Sequence, residues 1–181
     1  MGRVYLAHDN VLEREVALKE LAVPNYLRDD EKEEIRERFS LEAKAAASLT
    51  HPHILTVHDI IASDERQFIV MEYLEGKTLR DILAERTLST EEVMSIAPMI
   101  GEALYYAHSH GIIHRDVKPD NVFLTTDNRV KILDFGLAKI LETETETGDE
   151  DETAALSSDT AAGTLLGTMG YMAPEQLRGD P

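Results

Sequence analysis

The stretch His114-Arg115-Asp116-Val117-Lys118-Pro119-Asp120-Asn121 opens onto two short extended runs, Val122 to Leu124 and Arg129 to Leu133, and ends at Asp134. Thr125 to Asn128 between the runs is turn material, with Asp127 and Asn128 suited to the tight corner of a hairpin. Antiparallel strands joined by a short turn bring their outer ends together, so Asn121 and Asp134 are expected to be neighbours. An amide and a carboxylate oxygen at one end of a ribbon suit Mg²⁺, which takes one or two protein ligands and completes its shell with water and phosphate oxygens. Asp116, five residues before Asn121, can sit beside such an ion as the acceptor for a hydroxyl proton, and Lys118 can neutralise charge on a transferred group. Each of these residue types is common in turns and caps when taken singly; together they point to one reaction.

Upstream of this ribbon the chain reads in two styles. Val4 to Ala7 and Glu15 to Glu20 are extended runs around a polar turn, with Val16 and Leu18 on one face and Ala17 and Lys19 on the other. Asp29 to Leu49 predicts a helix capped by Asp29 or Asp30, with Ile35, Phe39, Ala46 and Leu49 at helical spacing. Glu42 falls on the same apolar stripe. A carboxylate there needs a cation, because burial removes its hydration, and Lys19 is the candidate partner. Ile54 to Ile61 and Phe68 to Tyr73 complete a small antiparallel sheet. The character changes at Gly76. Ser89 and Glu92 form a capping box that opens a helix running to His110 and stopping at Gly111, with a bend expected at Pro98.

Composition narrows the class. The chain has 181 residues with 35 Asp plus Glu against 18 Lys plus Arg, a formal charge of −17, and 43% hydrophobic residues. Enough apolar material exists for a core, and the acidity argues against a nucleic-acid binder, which would carry a basic footprint. No apolar run reaches the roughly 18 to 20 residues of a membrane helix. There is no cysteine, which excludes disulfides and thiol chemistry and fits a reducing compartment. Eight acids and no base fall within residues 142–159. That tract repels itself and reads as a solvated insertion.

Four motifs then agree in order and spacing. Val16-Ala17-Leu18-Lys19, His114 to Asn121, Asp134-Phe135-Gly136 and Ala173-Pro174-Glu175 resemble the protein kinase signature set. Lys118, together with Gly167-Thr168-Met169-Gly170-Tyr171 ahead of Ala173, is similar to the Ser/Thr class. Arg3 to Asp9 and His51-Pro52-His53-Ile54 are similar to bacterial kinases of the eukaryotic type. The resemblance implies an α+β, two-lobe kinase fold. Residues 1–75 would form a partial N-lobe with a small antiparallel sheet, one helix and a hinge at 72–75. Residues 76–181 would form the start of a mainly helical C-lobe, with an activation segment at 134–175. The first strand, two glycines of the phosphate loop and the later helices of the family domain are not in this sequence, so the fold is expected to be incomplete.

Carried over residue by residue, the resemblance implies an ATP- and Mg²⁺-dependent, non-specific Ser/Thr protein kinase. Lys19 would contact the α- and β-phosphates and pair with Glu42. Asp116 would be the catalytic base, Lys118 would steady the γ-phosphate, and Asn121 and Asp134 would hold magnesium. Gly2 would be the last glycine of the phosphate loop, and the adenine would lie between Val4 and Ala17 above and Phe123 below. Met71 would be the gatekeeper, with the backbone of Glu72 and Leu74 bonding the adenine. Thr168 would orient the base, Arg115 would receive a phosphorylated loop residue, and Thr160 and Thr164 are the candidates for autophosphorylation in trans. The implied partners are ATP and protein substrates with Ser or Thr, and the implied location is cytoplasmic, with any membrane anchor or sensor in a longer parent. A non-catalytic kinase-like module that binds only ATP or a partner is the alternative. A small-molecule kinase of the aminoglycoside type would share the spacing from base to asparagine but should lack Lys118 and the Ala173-Pro174-Glu175 motif.

Overall fold

A computed structural model describes residues 3–24, 26–63, 66–134, 170, 171 and 174, and leaves the side chains of 38, 41 and 42 undescribed. Strands β1 (Val4–Asp9), β2 (Arg14–Glu20), β3 (Val57–Ser63) and β4 (Arg66–Glu72) form a four-stranded antiparallel sheet in the order β1-β2-β4-β3. Val4 pairs with Lys19, Leu6 with Ala17, and Ala17 with Met71. Paired residues share a face, so Val4, Ala17, Lys19 and Met71 line one side of this sheet, the side the alternation of β2 assigns to Lys19.

Helix α1 (Asp29–Ala47) packs on that sheet. Its stripe of Ile35, Phe39, Ala43 and Ala46 is buried, and Phe39 and Ala43 meet Ala17, Leu55, Ile69 and Met71 in one core cluster. Burying a side chain the size of Phe39 contributes about 1.5–3 kcal/mol. The N-cap is Arg28 rather than Asp29 or Asp30. Arginine has no acceptor to offer, so the bond comes from the other side: Glu31 Oε2 accepts the Arg28 amide at 2.7 Å, while the aspartates supply charge to the first turn.

The apolar run from Ile54 is not a strand throughout. Strand β3 starts only at Val57, and residues 53–56 instead bond in both directions. Leu55 N donates to Ile132 O at 2.9 Å, Ile132 N to His53 O at 2.9 Å, and Glu72 N to Thr56 O at 3.0 Å. This short segment is thus laced to the end of β4 on one side and to the second sheet on the other.

The second sheet has three strands, β5 (Gly76–Thr78), β6 (Val122–Thr125) and β7 (Val130–Ile132), in that order. The expected hairpin is β6–β7, with Asn128 at φ 61° in its turn. Strand β5 and helix α2 (Leu79–Glu85) have no counterpart in the sequence reading. A three-residue strand has no periodicity to detect, although Thr78 and Asp81 do form a capping box across the helix start. Helix α3 (Thr90–Ser109) opens at the predicted box, where Ser89 Oγ accepts the Glu92 amide at 3.2 Å and Glu92 Oε2 accepts the Ser89 amide at 2.8 Å. The Arg86 guanidinium also grips Glu92 and, with the cap bond, holds its carboxyl down to about 2. The helix continues through Pro98 and ends before Gly111, which takes the left-handed φ of 75° that suits glycine at a helix end. Ala103 and Ala107 are fully buried against Leu49, Ile54 and Ile132, and so bring α3 close to both the 53–56 segment and β7.

Candidate active site

Between α3 and β6 the chain folds back on itself around His114. Its ring is 1% exposed. Nδ1 accepts the Asp116 amide at 3.2 Å, which places the proton on Nε2, and Nε2 donates to the Leu133 carbonyl at 2.8 Å. The neutral imidazole thus ties the backbone of Asp116 to the residue before Asp134. Desolvation by burial pushes the His114 pKa below its ordinary 6.5. Arg115 and Asp134 both adopt positive φ, 63° and 52°, a conformation uncommon for residues with a Cβ and found at sites that the surroundings over-determine.

A single 3-10 turn, Pro119–Asn121, carries the chain into β6. Proline suits its first position, since no amide is needed there. The turn delivers Asn121, 8% exposed, against Asp116: Nδ2 donates to the Asp116 carbonyl at 2.8 Å and to Oδ2 at 3.0 Å. Lys118 Nζ lies 2.8 Å from the same Oδ2, with both side chains mostly buried. One carboxylate oxygen therefore receives an amide and an ammonium, a charge-assisted arrangement that fixes its rotamer.

The ribbon register places Val122 opposite Ile132, and Leu133 N donates to Asn121 O at 2.8 Å. Asp134 is the next residue, so the backbone brings the amide and the carboxylate to one end of the hairpin as the sequence predicts. Asn121 Nδ2 is committed to Asp116, which leaves Oδ1 as the atom that could ligate an ion. An amide oxygen and a carboxylate are the hard donors that Mg²⁺ prefers. Among the described residues no group of three His, Asp or Glu could hold a metal by protein atoms alone. A pair of donors fits an ion whose shell is completed by water and phosphate.

Lys19 reaches this end from the other sheet. Its Nζ lies 2.6 Å from Asp134 Oδ1, and the two side chains are 21% and 27% exposed. The expected partner, Glu42, lies in α1, but its side chain is outside the description. Behind the Lys19–Asp134 pair is a narrow apolar cavity lined by Ala46, Leu55, Val57, Ile69, Met71 and Ile132. Ala17 and Met71 are buried in the core cluster beside it, and Leu74, partly buried, packs against the same cluster. Phe123, half-buried, occupies the centre of the second sheet between Thr78 and Lys131. Gly2, Thr160, Thr164 and Thr168 lie outside the described residues.

The protein kinase domain family model matches residues 1–181, the whole sequence. The chain belongs to the protein kinase domain family. Among its relatives, this kinase-domain chain is 40% identical to the serine/threonine-protein kinase PrkC of Bacillus subtilis over 99% of its length, and 38% identical to PknB of Mycolicibacterium smegmatis over 99%. It spans about a quarter of the length of each, 25% and 27%. Solved structures of the Mycobacterium tuberculosis PknI kinase domain are also similar. One matches with TM-score 0.71 and 34% identity over all of this chain and 62% of that one; another matches with TM-score 0.65 and 41% identity over 77% and 55%. The kinase-like fold, with a small antiparallel sheet and helices, is therefore shared, and it is partial. No helix among the described residues is long and apolar enough to cross a membrane.

Two contacts of the kinase chain escaped the sequence reading. Arg80 in α2 bonds Asp120 through Nε and Nη2, at 3.3 and 3.1 Å to Oδ2, and its guanidinium stands 5.9 Å from the centre of the Tyr171 ring. Lys131 Nζ lies 2.6 Å from Glu72 Oε1. Lys131 lies on the opposite strand face from the buried Val130 and Ile132, and its own side chain is mostly buried, where a cation requires a partner.

Proposed function

We propose that this chain carries the catalytic centre of a protein kinase that transfers the γ-phosphate of ATP, with Mg²⁺, to Ser or Thr hydroxyls of protein substrates. The observation that carries the reading is the carboxylate of Asp116, fixed by Asn121 and Lys118 within a loop that His114 ties to the residue before Asp134. The substrate hydroxyl oxygen attacks the γ-phosphorus, the bond from that phosphorus to the bridging oxygen of ADP breaks, and the hydroxyl proton passes to Asp116. Lys118 offsets charge on the moving phosphoryl group. Such transfer passes through a loose transition state, so positioning and electrostatics supply most of the acceleration.

Lys19 is the residue that changes partner. Without nucleotide it neutralises Asp134; with ATP present its ammonium would turn to the α- and β-phosphates, and the released Asp134 carboxylate and Asn121 Oδ1 would be the residues to hold magnesium. The ion supplies neutralisation of the phosphate oxygens when bound. Adenine lies between the Val4 and Ala17 face and Phe123, with Met71 at the back and the backbone of Glu72 and Leu74 as its partners. Thr168 orients the base, Glu42 pairs with Lys19, and Gly2 closes over the phosphates. Residues 72–75 act as the hinge between residues 1–75 and 76–181, and Thr160 and Thr164 accept phosphate in trans. The kinase portion works in the cytoplasm.

Thermal unfolding with and without Mg·ATP tests the binding half of this reading, since a ligand at 100 times its Kd adds about 2.7 kcal/mol to the folded state. Labelled-phosphate transfer to a Ser/Thr-containing protein tests the other half. A shift with transfer supports the proposal, a shift without transfer supports the non-catalytic module in its ATP-binding form, and the absence of both refutes these two and leaves a module that binds only a partner.

A further inference from the structure

We propose that Lys131 is a positioning residue, a brace that fixes the strand end expected to bind adenine relative to the ribbon that carries Asn121 and Asp134. The proposal rests on the kinase reading above for its catalytic consequence, although the brace itself is a physical claim about two sheets.

Three segments meet at one carboxylate oxygen. Glu72, the last residue of β4, presents Oε1 to the Thr56 amide at 2.7 Å and to Lys131 Nζ at 2.6 Å. The same Nζ donates to the Ile54 carbonyl at 3.2 Å. Lys131 belongs to β7 of the second sheet, Glu72 to β4 of the first, and Ile54 and Thr56 to the segment laced between them. The side chains are 12% and 23% exposed, so solvent and salt screen the pair far less than a surface ion pair. The ladders of the two sheets do not need this contact. Each sheet is internally bonded, and what the pair adds is a fixed distance between them.

That distance matters because of where the ends lie. Lys131 precedes Asp134 by three residues and stands across from Phe123, while Glu72 pairs with Val16 on the neighbouring strand β2. ATP would span the gap, with its base against the β4 end and its phosphates against Asp134. At the phosphate end the sheets are joined by the Lys19–Asp134 ion pair, which nucleotide would break, and by Leu133 packed against the core of the first sheet. The Glu72–Lys131 contact at the other end survives that exchange and keeps the two surfaces in register. Loss of Lys131 leaves a mostly buried carboxylate with the Thr56 amide alone, and the sheets joined at this end by the backbone bonds of residues 53–56 without the side-chain brace.

The test is Lys131→Met, with Lys131→Arg as the conservative variant, made in this chain. Amide hydrogen exchange should accelerate at least tenfold at Thr56 and also at Leu133, whose amide bonds Asn121, with Ile35 in α1 unchanged; Arg should restore both. In phosphotransfer assays at saturating Mg·ATP, Met should lower kcat at least tenfold with the KM for the protein substrate within twofold, and Arg should recover most of it. Acceleration confined to Thr56, or an unaltered kcat in a variant of an active wild type, overturns the brace. If the wild type transfers no phosphate the kinase reading fails, and the exchange at Leu133 still decides the brace.

Discussion

Lys19 Nζ and Asp134 Oδ1 are 2.6 Å apart, a link between β2 of the first sheet and the end of β7 in the second. Neither residue is held there by sequence proximity; the pairing of β2 with β4 and the lacing of residues 53–56 to both sheets bring them together. Lys19→Met removes the cation from both states of the proposed cycle. Phosphotransfer should fall by about 10²–10³, the usual cost of deleting one electrostatic stabiliser. Nucleotide affinity, read from the Mg·ATP thermal shift, should fall as well. Unchanged transfer would exclude Lys19 from phosphate contact.

Asn121→Ala removes both bonds to Asp116. One acceptor is charged and mostly buried, so unfolding free energy should drop by about 1–3 kcal/mol. Transfer should fall more steeply than stability at temperatures where the variant remains folded. Chemical denaturation alongside a transfer assay separates the two effects, and a parallel decline in both would make Asn121 a structural residue alone.

The His114 ring gives a pH prediction. Its pKa is depressed in the folded state because burial disfavours the imidazolium, and protonation would put a second N–H against the Asp116 amide. The unfolded chain therefore binds the extra proton first. Stability contributed by this group is fully present above about 6.5 and declines as pH falls from there through the lower folded value. Thermal midpoints from pH 8 down to 5 should decline below 6.5 in the wild type and do so less in His114→Phe. Equal slopes would show that other groups set the acid limb.

Gly76 tests the second sheet. Its φ is 151°, and a Cβ there would collide with the Leu124 carbonyl oxygen and lie 2.8 Å from the Phe123 ring. Gly76→Ala should cost about 1–3 kcal/mol through overpacking, since backbone on the neighbouring strand cannot move aside cheaply. Urea denaturation checks this, and a cost below half a kcal/mol would mean that β5 detaches without consequence.

The site was legible in the sequence to the extent that it is built from local rules. The Ser89–Glu92 box, the β6–β7 turn and the alternation along β2 are each set by a few adjacent residues, and each reading agrees with the structure. Residues 53–56 were not legible because an apolar run gives the same pattern whether it pairs along a ladder or bonds across two sheet ends. The Lys19–Asp134 pair joins positions 115 residues apart through a tertiary arrangement that no periodicity encodes. Glu42 is the partner expected on the ground that a buried carboxylate needs a cation; its side chain lies outside the described residues, and among the described side chains Asp134 is the partner of Lys19.

The most direct test of the account is Asp116→Asn, which keeps the shape of the side chain and its contact with Lys118 but removes its capacity to take a proton. The prediction is a loss of about 10²–10⁴ in phosphate transfer, the range for a general base, with the Mg·ATP thermal shift retained. Transfer at the wild-type rate by the Asn variant would contradict it.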